Sequence, residues 1–209
     1  MISKKIEKDT ESKILDAAKQ VFVQNGLDGA RMQEIADEAG INKALLHYYF
    51  RLKEKLFMTI FQVELNNFFP QLIPVLLSKE MTYEEKIRHF VKDYIDLFLN
   101  NPFLPDFVLR EVNRNPLIIA QFIGESVIDS RKLKEVMKVL SNEIGLSLNE
   151  ILHLMVTTVS ACIFPFAGKP IIEQVLFKGK TTEYSQFLRE RKKFVADFVI
   201  YSIKGRLYD

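Results

Sequence analysis

The stretch from Met32 to Phe57, MQEIADEAGINKALLHYYFRLKEKLF, constrains this chain more than any other. Ile35, Ala36 and Ala39 recur at three- and four-residue spacing, so a first short helix gathers them on one face. Gly40 stands where that helix must stop abruptly, because only glycine enters the left-handed region without a steric penalty. Ile41 then plugs the turn, and Asn42 is placed to cap a second helix by accepting a backbone N–H. The second helix turns Leu46, Tyr49 and Phe50 inward and Lys43, Ala44, Leu45, His47 and Tyr48 outward. Ala36 is small enough for the two helices to cross closely. This is the pattern of a helix-turn-helix, which reads DNA through its second helix.

Upstream, Ile14, Leu15, Ala18, Val21 and Phe22 lie at helical spacing and predict an amphipathic helix from about Lys13. Asn25-Gly26 supplies the expected stop, and Gly29 loosens the connection to the next helix. Residues Met1 to Ser12 read as a charged lead-in with Lys4, Lys5 and Lys8, either a basic arm toward DNA or a solvated tail. Three helices between about Lys13 and Tyr49 therefore make a small bundle.

With those pieces in order, KILDAAKQVFVQNGLDGARMQEIADEAGINKALLHYYFRLKEKLF resembles the N-terminal DNA-binding segment of the TetR family of transcriptional repressors. The matching pieces are the ILDAA–VF helix, the NG–D connection, the IA–AGI turn, the L–YYF aromatic end and the KEKLF start of the next helix. The resemblance implies that Gln33 reaches a base or phosphate and that Asn42, Lys43, Ala44, Leu45, His47 and Tyr48 form the recognition surface. It also implies that Lys53 contacts phosphate at the start of the following helix. The chemistry agrees. Lys43 and Lys53 can neutralise phosphates, which supply most sequence-independent affinity. Gln33 offers a donor–acceptor pair to adenine, and Leu45 suits a thymine methyl. Three departures bear on the operator. Ala30 and Arg31 stand where the family commonly has Thr or Ser, so Arg31 replaces a hydroxyl contact to phosphate. Leu52 replaces a small polar cap. His47 stands where tyrosine is frequent and can still donate to phosphate.

The expected division is a DNA-binding domain over residues 1–52 and a helical effector-binding and dimerisation domain over 53–209. In the second domain, Phe68, Phe69, Pro70 and Pro74 predict a bend or break. Thr82, with Glu85 three residues on, predicts a capping box, and Ile87, Phe90, Val91, Tyr94 and Phe98 form the stripe of the helix that follows. Asn100-Asn101-Pro102 ends it. A short helix is expected around Asp106 to Asn113 and a longer one over Ile118 to Ile144. Leu148 to Ala167 is apolar over much of its circumference, as in a helix buried from two sides. Its longest apolar run, Leu154 to Ala167, is shorter than the roughly 20 residues that span a bilayer. A short helix over Pro170 to Phe177 and a last one over about Tyr184 to Lys204 complete an all-α chain.

In the TetR family the last two long helices pair with those of a second subunit in a four-helix bundle. Leu152, Met155, Val159, Phe187, Phe194, Phe198 and Tyr201 are the expected dimerisation residues. Phe69, Phe98, Phe103, Phe107 and Phe122 are the candidate walls of an effector pocket, since breaks at Pro70, Pro102 and Pro105 bring aromatics together.

Composition narrows the function classes. A net charge of +2 is too small for a nonspecific polycation, so DNA binding rests on local charge. A single cysteine excludes an intrachain disulfide and suits a reducing cytoplasm. The polar N-terminus shows no signal peptide. No catalytic constellation is visible: His47, His89 and His153 lack metal-ligand spacing, and Cys162 reads as a buried, inert thiol. Gly179-Lys180-Thr181 matches the tail of a phosphate-binding loop, but Gln174 holds the first glycine's place and no strand precedes it. The reading is a homodimeric regulator, not an enzyme, needing no cofactor. It would repress from a palindromic operator in double-stranded DNA until a small apolar ligand releases it, with no membrane partner. The rival is a dimeric ligand-binding or protein-interaction module that keeps the helix-turn-helix without reading specific DNA.

Overall fold

A computed structural model describes residues 2–114 and 130–206; the side chains of residues 2–8, 107, 111, 112 and 130 lie outside that description. All regular structure among the described residues is α-helical. The chain divides into two compact units, Met1–Leu65 and Asn66–Asp209.

In the first unit, α1 (Ile2–Gly29), α2 (Met32–Glu38) and α3 (Lys43–Tyr49) precede the start of α4 (Lys53–Leu77). Helix α1 begins well before the expected Lys13. The segment ahead of Lys13 contains neither glycine nor proline and is rich in Lys, Glu and Ile, which sustain a helix. Gly26 breaks it as expected, with φ 67° and ψ 177°, and one further turn follows. Ile14, Ala18, Phe22, Ile35, Ala36, Leu46, Leu56 and Phe57 are fully buried together in this unit. The Phe22 and Phe57 rings lie 5.0 Å apart. The first half of α4 supplies Leu56, Phe57, Ile60 and Phe61 to the core. The first compact unit therefore extends into α4, as far as Leu65.

The second unit takes the rest of α4 and adds α5 (Tyr83–Asn100), α6 (Leu104–Arg114), α7 (Ser130–Ile144), α8 (Leu148–Ala167), α9 (Lys169–Leu176) and α10 (Thr181–Arg206). Of the expected bend or break, the break does not occur: helix α4 is one helix through Pro70 and Pro74. The two prolines are four residues apart and stack on one face. Pro70 is exposed and so is Pro74, so the carbonyls they leave without a helical donor face the solvent side. Helix α5 opens with the expected capping box: Thr82 Oγ1 accepts the Glu85 N–H, and the Glu85 carboxylate accepts the Thr82 N–H at 2.8 Å. Ser147 and Glu150 repeat the device at the start of α8. Helix α7 covers residues 130–144 of the expected 118–144 helix, whose earlier part lies outside the described residues, and Gly145, with φ 80°, turns the chain after it.

Helices α5 and α10 pack along their length, and α8 packs against both. Charged pairs zip α5 to α10: Arg88 to Asp197 at 2.7 Å, Lys204 to Glu84 at 3.4 Å, and Lys192 to Asp96. Lys86, with only 1% of its surface exposed, reaches from α5 to Glu143 of α7 at 2.5 Å. A buried ammonium must be paired, so this bond fixes where α7 sits on α5.

Candidate nucleic-acid interface

The turn between α2 and α3 has the hydrogen bonds of a Schellman motif. The Ile41 N–H donates to the Ala36 carbonyl at 3.0 Å, and the Gly40 N–H donates to the Asp37 carbonyl at 3.1 Å. Gly40 takes φ 65°, the left-handed conformation the motif requires. Asn42 Oδ1 then accepts the Leu45 N–H at 2.8 Å and starts α3. Leu46 is buried beneath the helix, while Lys43, Ala44, Leu45, His47 and Tyr48 are exposed. Tyr48 stands 75% exposed, and its ring meets Tyr49 edge-on at 5.4 Å. One ammonium, an imidazole, a phenol and an aliphatic side chain thus share one short convex helix. That set can neutralise phosphate and meet base edges.

The start of α2 is built without a hydroxyl cap. The Glu34 carboxylate accepts the Arg31 N–H at 3.1 Å and also the Asn25 side-chain amide at 3.1 Å. This is half of a capping box, because a guanidinium at Arg31 cannot accept the return bond. Arg31 itself is exposed. Gln33 donates its amide to Asp37 at 2.8 Å, one turn along the exposed side of α2. Lys53 is only half-buried, and its ammonium donates to the Ala30 carbonyl at 3.0 Å and to the Asp28 carbonyl at 3.3 Å. The chain pattern names Asn42 and Gly40 for these roles. It gives no sign of the Glu34 bridge or of the bonds made by Lys53, which depend on tertiary approach.

In the second unit, the candidate pocket residues part company. Phe69 is half-buried on α4 and packs edge-on against Phe68, which continues through Tyr94 to Phe98 and Phe166. Phe98 and Phe103 are buried. The Phe107 side chain and Phe122 lie outside the described residues. Burial pushes the Tyr94 phenol pKa above its ordinary value.

Two apolar strips run along α8 and α10. On α10, Phe194, Phe198 and Tyr201 are 65%, 55% and 70% exposed, and Leu152 of α8 is exposed beside Leu148, Val156 and Phe164. Met155, Val159 and Phe187 are half-buried. Leu148, Val156 and Phe164, spaced by multiples of four, are additions to the expected set that the sequence spacing already contained. Helix α8 buries Ile151, Thr158, Cys162, Pro165 and Phe166 on its opposite side. Burial pushes the Cys162 thiol up to about 12, in keeping with an inert thiol. At 20 residues, α8 is also long and apolar enough, by length and composition, to cross a membrane. The apolar run on which the sequence expectation rested, 154–167, is only the C-terminal part of this helix. The helix extends N-terminally past Leu154 and keeps only Glu150 as a charged residue.

One unit presents a helix-turn-helix, and the other leaves an apolar face exposed on each of α8 and α10. Residues 14–60 match the family model for bacterial regulatory proteins of the tetR family. Over that segment the chain resembles the TetR family. It is 26% identical to the probable HTH-type transcriptional regulator YttP of Bacillus subtilis, over 80% of this chain and 82% of that protein. It is 25% identical to the fatty acid metabolism regulator protein of the same organism, over 54% of this chain and 57% of the relative, so that match spans little more than half the relative's length. The crystal structure of the transcriptional regulator FadR from B. subtilis in complex with stearoyl-CoA shares the fold, with a TM-score of 0.54 at 18% identity, covering 90% of this chain and 96% of that one.

Proposed function

We propose that this chain is a homodimeric transcriptional repressor of the cytoplasm, released from a palindromic operator by a small apolar ligand. The observation that carries the reading is the capped, solvent-facing α3, with Lys43, His47, Leu45 and Tyr48 on one convex surface behind a Schellman turn. Arg31, Gln33, Asn42, Ala44 and Lys53 complete the proposed DNA face. A palindrome follows from two-fold symmetry, with half-sites about one helical turn (~34 Å) or slightly more apart.

The second subunit covers the apolar strips of α8 and α10, with Leu152, Met155, Val159, Phe187, Phe194, Phe198 and Tyr201 in the interface. A protein partner fits this surface better than a bilayer does. Phe194 and Phe198 are flanked on α10 by Arg189, Glu190, Lys193 and Asp197, which favour a bounded patch with a charged rim. The effector is assigned to the aromatic interior of the second unit, with Phe69, Phe98, Phe103, Phe107 and Phe122 as walls. The stearoyl-CoA held by the FadR structure makes a long acyl chain one member of the ligand class to test. Such a ligand acts only by binding one conformation more tightly than the other. The test is a screen of acyl-CoAs and other apolar compounds for release of the protein from a selected duplex. A compound that stabilises the protein against heat and lowers its DNA affinity supports the reading. Binding without any change in DNA affinity contradicts the release mechanism.

A further inference from the structure

We propose that Arg51, in the link between α3 and α4, is a phosphate contact of the DNA-reading unit; the inference rests on the DNA-binding reading above and extends its DNA face by one residue. Phe50 closes α3 in an extended conformation, φ −134° and ψ 98°, with its side chain buried. Successive side chains of an extended chain point to opposite sides. Burial of Phe50 therefore turns Arg51 outward, where it is exposed. Its guanidinium makes no ion pair or hydrogen bond among the described residues. It is a cation held by nothing on its own chain.

Its place in the chain gives that cation a use. The exposed face of α3 ends just before it, and Lys53 follows two residues later. From Lys43 to Lys55 the chain carries Lys43, Arg51, Lys53 and Lys55 against Glu54 alone, more positive charge than the +2 of the whole protein. Positive charge concentrated beside a reading helix draws phosphate.

Leu52 shows what Arg51 replaces. A small polar residue there would cap α4 and offer a neutral donor to DNA. Leu52 offers none and stands 62% exposed. The start of α2 carries the same exchange, with exposed Arg31 where a hydroxyl is common in the family. Both helix starts that flank α3 have thus given up a hydroxyl, and each has an exposed guanidinium at or beside the vacated place. A guanidinium can bond two phosphate oxygens with its planar fork. Unlike a hydroxyl, it also neutralises the phosphate and releases a counterion, so the exchange shows in salt dependence.

The full-length protein and its Arg51→Gln, Arg51→Lys and Lys132→Gln variants would be titrated across a salt series. The probes are a random-sequence duplex and any duplex the wild type selects. Lys132, exposed on α7 in the second unit, controls for net charge. With one contact in each half of a dimer, Arg51→Gln should lower the slope of log affinity against log salt by about two, because each phosphate neutralised contributes about 0.9. Over an about fourfold range of salt, that is roughly a tenfold difference in how far affinity falls. Both duplexes should weaken equally, since phosphate carries no sequence. Arg51→Lys and Lys132→Gln should keep the wild-type slope, and Tm without DNA should not move.

An unchanged slope in Arg51→Gln overturns the contact. So does an equal drop in Lys132→Gln, which marks net charge alone. If Arg51→Gln lowers the Tm, Arg51→Lys decides: a retained slope upholds the contact, and a slope as low as that of the Gln variant overturns it. A wild type that binds neither duplex ends the DNA-binding reading and this contact together. Binding without selection ends only the repressor reading, and the slope on the random duplex still decides Arg51.

Discussion

At the turn of the helix-turn-helix, single residues do separable jobs. Gly40 holds φ 65° with open space around the position a Cβ would occupy, so its cost on substitution is conformational and not a clash. Gly40→Ala is predicted to cost about 1–2 kcal/mol, read by urea unfolding. Asn42→Ala removes the side-chain acceptor for the Leu45 N–H and is predicted to cost about 1 kcal/mol. Both changes should lower stability by more than Lys43→Ala does, because Lys43 is exposed and its proposed role is on the DNA face. Stability unchanged in Asn42→Ala would show that α3 does not depend on this cap. Gly40 and Asn42 were legible because turn and cap chemistry is local. The bonds of Lys53 to the Asp28 and Ala30 carbonyls were not, because those partners lie more than 20 residues away in sequence.

Among the elements, α8 shows how a helix break is repaired. Pro165 has no N–H to offer the Ala161 carbonyl four residues earlier, and Arg191 of α10 donates to that oxygen at 2.7 Å. The same guanidinium lies 5.5 Å from the Phe187 ring, and the Tyr184 hydroxyl donates to the Pro165 carbonyl. Arg191→Ala is predicted to destabilise the second unit by about 2 kcal/mol, since it leaves the carbonyl without its charged partner. Equal stability of wild type and variant by calorimetry would count against this staple.

The helix caps give a pH dependence. Hydrogen bonds from the Thr82 backbone and hydroxyl lower the pKa of Glu85, and the Ser147 hydroxyl and backbone lower that of Glu150. A carboxylate whose folded pKa is depressed contributes stability above its unfolded pKa and loses it as pH falls through the folded one. Acidification from about pH 5 to 3 should therefore destabilise the wild type more than Glu85→Gln/Glu150→Gln, which keeps the acceptors without titrating. Parallel Tm–pH curves for the two proteins would refute the assignment. The periodicity of α5, α8 and α10 and the Thr82 box were readable from the chain. The continuity of α4 through Pro70 and Pro74 was not, because a proline breaks a helix only when the freed carbonyl cannot be satisfied, and solvent exposure is not written in local sequence.

For the whole molecule, the proposed assembly rests on the apolar strips. Phe194, Phe198 and Tyr201 are more than half exposed, and apolar patches of this kind mark interaction surfaces. Phe198→Glu is predicted to shift the protein from dimer to monomer by analytical ultracentrifugation while leaving it folded, since the side chain lies outside the single-chain core. A dimer that survives this change would move the interface elsewhere. The all-α class and two-domain order were legible from periodicity. Which side of α8 is buried within one chain was not, because a helix apolar on both sides gives no sign of which side meets its own chain.

The most direct test of the central claim is selection of random duplex DNA by the purified protein at near-physiological salt, followed by sequencing. The account predicts an enriched palindrome with half-sites near one helical turn apart, lost in Lys43→Ala and His47→Ala. Binding that is salt-sensitive yet enriches no sequence, by a protein shown to be folded and dimeric, would contradict it.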